Sequence, residues 1–149
     1  MNSLKIMAKK TTFQIDKITY LKIREIEFSY LAPDDFVVDE NPETIHFSLD
    51  VVKMVDPEEG IVRLVFTLHV NTGLENKKEV KGTYITEHLF QINGFEDLIA
   101  KTNEDFEVDE ALETALTSLA YSTMRGLFFK KFEGTLFSRF ILPVTKLVN

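Results

Sequence analysis

Three histidines, His46, His69 and His88, each fall in a segment whose apolar residues alternate, so a metal site built across neighbouring strands is the first chemistry to test. His46 and His69 lie on the parity opposite the main apolar set of their segments, whereas His88 shares the apolar parity of its own. No carboxylate stands at a helpful fixed spacing from them. Solvent-facing or hydrogen-bonded histidines are therefore expected, and no metal. Ser118, Ser122 and Thr123 lack the strand-to-helix elbow that exposes a serine nucleophile. With no cysteine, thiolate nucleophiles, disulfides and thiolate zinc sites are excluded. Neither "NTG" at 71–73 nor "EGT" at 133–135 has the glycine spacing of a phosphate loop. The carboxylates between 103 and 110 read as a solvated segment and a helix start rather than a catalytic pair. No cofactor site follows from these residues, and the expected role is not enzymatic.

Bulk properties narrow the partners. A net charge of −7 argues against nucleic acid, whose phosphates call for a basic stripe, and against an anionic membrane surface. No run of about eighteen apolar residues is present to span a bilayer, so no membrane insertion is expected. "MNSLKIMAKKTT" lacks the apolar core of a signal peptide, and a cytoplasmic protein is the expectation. The 149 residues, 44% of them hydrophobic, suit one domain with a substantial core. We divide them into a flexible N-terminal arm over 1–11 and a single domain over 12–149.

The hydrophobic period sets the elements that would position any site. Up to about residue 93 it is close to two. "FQIDKITYLKIREIEFSYL" starts with Phe13 and Ile15 on one parity and moves to Ile18, Tyr20, Ile26, Phe28 and Tyr30 on the other, which predicts a bulge near Asp16 and Lys17. "TIHFSLDVV" and "IVRLVFTLHV" alternate cleanly on either side of the turn "VDPEEG". A fourth strand carries Val80, Gly82, Tyr84, Phe90 and Ile92. Short loops between them suggest an antiparallel meander. Leu21, Ile23, Val52, Met54, Val65, Ile85 and Leu89 would give the sheet an apolar second face, where an ordinary one-sided sheet is polar. Scattered surface hydrophobes are the plain account of them; a covered or client-holding face is the other.

After about residue 109 the period becomes helical. Asp109 can serve as N-cap, Glu110 and Glu113 suit the first turn, Lys130 and Lys131 the last, and Gly134 the stop. Leu112, Leu116, Leu119, Ala120 and Leu127 form a stripe for the sheet. Tyr121, Met124, Phe128 and Phe132 form a second stripe, rotated away from the first, which implies a partner surface. Gly126 interrupts the helix and marks either a kink or a close backbone approach. Residues 125–144, "RGLFFKKFEGTLFSRFILPV", hold five phenylalanines. The part after Gly134 is expected to run extended towards Pro143.

Taken together, these segments resemble the SecB family of bacterial protein-export chaperones. "FQIDKITYLKIREIEFSYLAP" is similar to the family's first strand, with Phe13, Ile15, Ile18, Tyr20, Ile26, Phe28 and Pro33 in comparable places. "VKGTYITEHLFQINGFE" resembles the last strand through Phe90, Ile92 and Gly94, and "RG" at 125–126 with "GTLFSRFILPV" at 134–144 resembles the segment that follows. The resemblance spans roughly residues 12 to 147. Two departures stand out: "LFFKKFEG" lengthens the helix, and the sequence ends at Asn149, so a contact with the SecA motor is not expected.

The resemblance implies an α+β fold: a four-stranded antiparallel meander, a long helix, and a short C-terminal extended or helical segment. It implies an ATP-independent chaperone without cofactor, holding unfolded or precursor polypeptides in an apolar groove. The clients would serve protein export or, as for some relatives, one dedicated partner such as a toxin–antitoxin pair. A homo-oligomer is implied as well, a dimer of dimers. Phe137, Phe140, Leu142, Val52, Met54 and Val65 are then the expected client-binding residues. Tyr121, Met124, Phe128 and Phe132 are the expected oligomer interface. Acidic surroundings would favour basic client segments. Two alternatives stay open: an adaptor whose phenylalanines are all core, and a carrier of a small apolar ligand between sheet and helix.

Overall fold

The computed structural model describes residues 15–33, 45–72, 79–102, 105–139 and 142. The expected N-terminal arm lies outside them. Strands β1 (Ile18–Leu31), β2 (His46–Asp56), β3 (Ile61–Asn71) and β4 (Lys81–Ile92) form one antiparallel sheet in the order β1-β4-β3-β2. The meander expectation thus holds for β2 to β4, with one correction. β1 pairs with β4 at the far edge instead of with β2, so the connection between β1 and β2 crosses over. A one-turn helix α1 (Phe95–Leu98) and a hairpin of β5 (Ile99–Thr102) and β6 (Asp105–Val108) lead into the long helix α2 (Glu110–Lys131). Residues 105–108 of that hairpin fall in the segment expected to be solvated; Glu107 is exposed and Val108 is buried.

The β2–β3 ladder runs through eleven consecutive pairs without a shift, as the clean alternation of both segments requires. β1 differs. Its register slips between Tyr20 and Lys22 and again between Glu25 and Glu27, leaving Leu21 and Ile26 as bulged residues. The expected bulge at Asp16 and Lys17 is instead a 3-10 turn, Ile15–Lys17. The parity of β1 instead changes twice, at Leu21 and at Ile26, within the run expected to keep one parity.

One face of the sheet makes the core. Val62, Leu64, Phe66, Leu68 and Val70 of β3 and Tyr84, Phe90 and Ile92 of β4 are buried beneath α2. Asp109 caps the helix as expected, accepting from the Leu112 N–H at 3.2 Å, and the acidic first and basic last turns match the dipole. Lys53 of β2 meets Glu113 at 2.9 Å near the helix start, and Lys131 meets Glu25 of β1 at 2.7 Å near its end. The helix therefore runs diagonally from one edge strand to the other.

The second helical stripe requires a correction. Tyr121, Met124, Phe128 and Phe132, expected at an interface between copies, are all buried within the single chain. Residues four apart drift about 40° around a helix at each step, so Leu112, Leu116, Ala120, Met124 and Phe128 form one slowly turning stripe. The chain's own continuation covers its later half. After Gly134, whose φ of 83° ends the helical run, Leu136–Arg139 fold as a 3-10 turn rather than an extended segment. The Phe132 ring packs against Phe28, Tyr84, Phe128 and Phe137, with centroids 4.5 to 6.2 Å away. Gly82 makes this possible, because a Cβ there would stand 2.7 Å from the Phe132 ring.

Candidate polypeptide-binding face

The sheet's second face is ordered in rows that the register fixes. Arg24, Glu87, Val65 and Val52 lie side by side across β1, β4, β3 and β2; the adjoining row is Lys22, Leu89, Arg63 and Met54. Alternation alone brings these residues together, since the opposite parity of each strand is taken by the core. Val52 and Met54 remain 54% and 44% exposed, and Val65, Ile85 and Leu89 are half-buried. Large side chains left partly in water on a rigid sheet are the means by which an apolar surface can hold another chain: burying one is worth roughly 1.5–3 kcal/mol.

Three of the six expected client-binding residues, Val52, Met54 and Val65, are on this face. The others are not. Phe137 is buried against Phe132 and Tyr30, and Leu142 is buried as well, with its carbonyl accepting from Arg125 Nε at 2.9 Å. Both belong to the core, because the segment folds back over the end of α2. Phe140 lies outside the described residues. Of the further apolar residues expected on the second face, Ile85 and Leu89 are there. Ile23 opposes His88 and belongs to the helix side, and Leu21 sits in a bulge.

The face also holds a charge group that sequence reasoning missed. The Glu87 carboxylate is nearly covered; Arg24 Nε stands 3.2 Å from its Oε1 and Arg63 Nε 3.5 Å from its Oε2. Opposite charges on three separate strands give no signal until the register is known.

The histidines do not converge. His46 and His69 are exposed on the second face, where His69 Nδ1 lies 3.1 Å from Thr83 Oγ1. His88 is fully buried on the other side, its Nδ1 hydrogen-bonded to the Tyr20 hydroxyl and its Nε2 2.9 Å from Thr86 Oγ1. Burial lowers its pKa from 6.5 to about 4, partly offset by the Glu87 charge. A neutral ring suits these partners, since either tautomer offers one donor and one acceptor to the two hydroxyls. Tyr84 donates to Glu25 Oε2 at 2.8 Å, and burial with that carboxylate raises its own pKa. Among the described residues no group of three or more His, Cys, Asp or Glu is placed to hold a metal. No described helix is long and apolar enough to cross a membrane.

No protein-family model and no curated protein matches the sequence. Among solved structures, the chain is similar to the Mycobacterium tuberculosis SecB-like chaperone Rv1957, determined in complex with a ChAD peptide from the Rv1956 HigA1 antitoxin. The TM-score is 0.54 at 14% identity, over 90% of this chain and 91% of that one. A protein of unknown function from Streptococcus agalactiae aligns with TM-score 0.39 and 15% identity, over 89% of this chain and 97% of that one. The likeness to the first extends over nearly the whole of both chains, and the architecture described above is a SecB-like fold.

Proposed function

We propose that this protein is a non-enzymatic, ATP-independent chaperone that holds unfolded or precursor polypeptides in the cytoplasm. The observation that carries the reading is the second sheet face, apolar at its centre and open at Val52 and Met54. Holding a client needs no catalytic residue, only apolar surface that an exposed client segment can cover. The SecB-like fold supports the reading, and so does the antitoxin peptide bound to the solved neighbour, which favours peptide segments over a small ligand as occupant. Client range separates a general holder, including one that serves export, from a dedicated adaptor.

The same reading includes a homo-oligomer, though not through the residues first expected. The outward side of α2 carries Thr114, Ser118, Ser122 and Gly126 at four-residue spacing, all exposed. A Cβ at Gly126 would meet nothing within 4 Å, yet a glycine inside a helix costs about 1 kcal/mol. Phe129, 59% exposed, is the nearest large side chain on the same flank. A second helix packed closely along this side would account for both.

The test compares aggregation of an unrelated, chemically denatured protein on dilution, followed by light scattering, with and without this protein. Suppression at equimolar ratio is expected. Val52→Ser with Met54→Ser should weaken it severalfold without lowering Tm, whereas Phe137→Ser should lower stability by about 3–5 kcal/mol. Absence of suppression at tenfold excess would overturn the reading.

A further inference from the structure

On the second sheet face two cations share one carboxylate. Glu87 is almost inaccessible, while the Arg24 and Arg63 side chains that reach it from β1 and β3 are 56% and 45% exposed. Glu87 Oε2 accepts from Arg24 Nη2 at 3.4 Å, while Oε1 lies 3.2 Å from Arg24 Nε and Oε2 3.5 Å from Arg63 Nε. A guanidinium presents five N–H donors in a fixed fork, so most donors of both arginines are left for another acceptor. The group of three carries one net positive charge. Lys22 stands in the adjoining row, across Leu89 from Arg63.

The charged group is set among the apolar residues Val52, Met54, Val65 and Leu89: Arg63 stands between Leu89 and Met54, and Glu87 between Arg24 and Val65. The other acids of the face, Glu27, Asp50 and Asp56, lie in flanking rows, and Lys81, His46 and His69 lie towards its far end. Near the apolar centre on the β1 side, the local sign is thus opposite to the −7 of the whole chain. Screening decides which of the two a bound segment feels. At physiological salt the Debye length is about 8 Å, so acids off this face count little, and Glu27, one row from Arg24, is offset by Lys22 in the row on the other side.

Resting on the holding function proposed above, we infer that this face selects extended polypeptide segments that combine alternating apolar side chains with a carboxylate seated on Arg24 and Arg63. Guanidinium and carboxylate match in geometry as well as charge, because paired N–H donors meet paired oxygens. A client lysine at the same place would face two like charges. The basic client preference expected from the net charge is therefore reversed at this face.

Three fluorescein-labelled peptides test the inference: Val-Thr-Val-Thr-Xaa-Thr-Val-Thr-Val with Asp, Asn or Lys as the central residue, measured by anisotropy at low salt. All central residues share the valine side of an extended strand. The Asp peptide should bind about fivefold tighter than the Asn peptide, and the Lys peptide weakest. In the balanced variant Arg24→Gln/Arg63→Gln/Glu87→Gln the three affinities should agree within about twofold. Should that variant fail to fold, wild-type protein supplies the same readout: raising salt tenfold should remove the Asp preference and leave Asn binding nearly unchanged. Equal affinities or a Lys preference overturn the inference and leave the holding function standing. So does failure to bind any of the three by a protein that still suppresses aggregation. Loss of both peptide binding and aggregation suppression overturns the function itself.

Discussion

Arg125 Nε donates to the Leu142 carbonyl at 2.9 Å across 17 positions of sequence, and the same guanidinium lies 5.9 Å from the Tyr121 ring. One side chain on α2 thereby ties down the returning chain. Arg125→Gln keeps a hydrogen-bonding side chain but loses the charge and reach, so a loss of about 1–2 kcal/mol is expected. Urea denaturation measures it, and hydrogen exchange near Leu142 should rise with it. An unchanged midpoint would mean that Leu142 is held by its apolar contacts alone.

Gly82 and Phe132 are complementary shapes. Gly82→Ala should destabilise by about 1–3 kcal/mol, because neither the ring nor Val70, also 3.0 Å from the new Cβ, can withdraw from the core. In the Phe132→Leu background the same substitution should cost less. A double-mutant cycle by thermal unfolding gives the coupling, and strict additivity would contradict the packing account.

His88 makes stability depend on pH. Its folded pKa lies near 4 against 6.5 when unfolded, so the unfolded chain binds the extra proton first. The contribution is complete above about 6.5 and is lost as pH falls through about 4, a total on the order of 3 kcal/mol. His88→Gln, which keeps a donor and an acceptor without titrating, should flatten the slope between pH 7 and 4. Glu25, held low by its hydrogen bond to Lys131, loses its contribution only below its ordinary 4.5, so the His88 change above that pH is free of it. Denaturant titrations at several pH values resolve them.

Gly126→Leu probes the outward side of α2. By helix propensity alone it should raise stability by about 0.5–1 kcal/mol, since nothing lies within 4 Å of a Cβ at this position. If copies pack closely there, the variant should instead shift to a smaller species in light scattering. A monomeric wild type at micromolar concentration would refute the assembly.

Much of this fold is legible from period and end signals. Asp109, the lysines at 130 and 131 and Gly134 bound α2 through interactions within a few residues, and alternation along β2 and β3 carries its own face assignment. What depends on distant partners is not legible. Phe137 and Leu142 look like a free apolar segment until the chain folds back, and Tyr121 to Phe132 look like a second stripe until the drift of the helix meets that segment. On the candidate face, Val52, Met54 and Val65 follow from parity, while Glu87 and its arginines need the register of three strands.

The crossover of β1 has a consequence for how the chain is made. Tyr20 and His88, partners in the finished core, stand 68 positions apart. At synthesis rates of about 5–20 residues per second, the first strand leaves the ribosome several seconds before β4 exists to receive it. In that interval β1 is a long segment that carries Leu21, Ile23, Ile26, Phe28 and Leu31 and has no neighbour. Lys22, Arg24, Glu25 and Glu27, set among those residues, keep the waiting strand in solution.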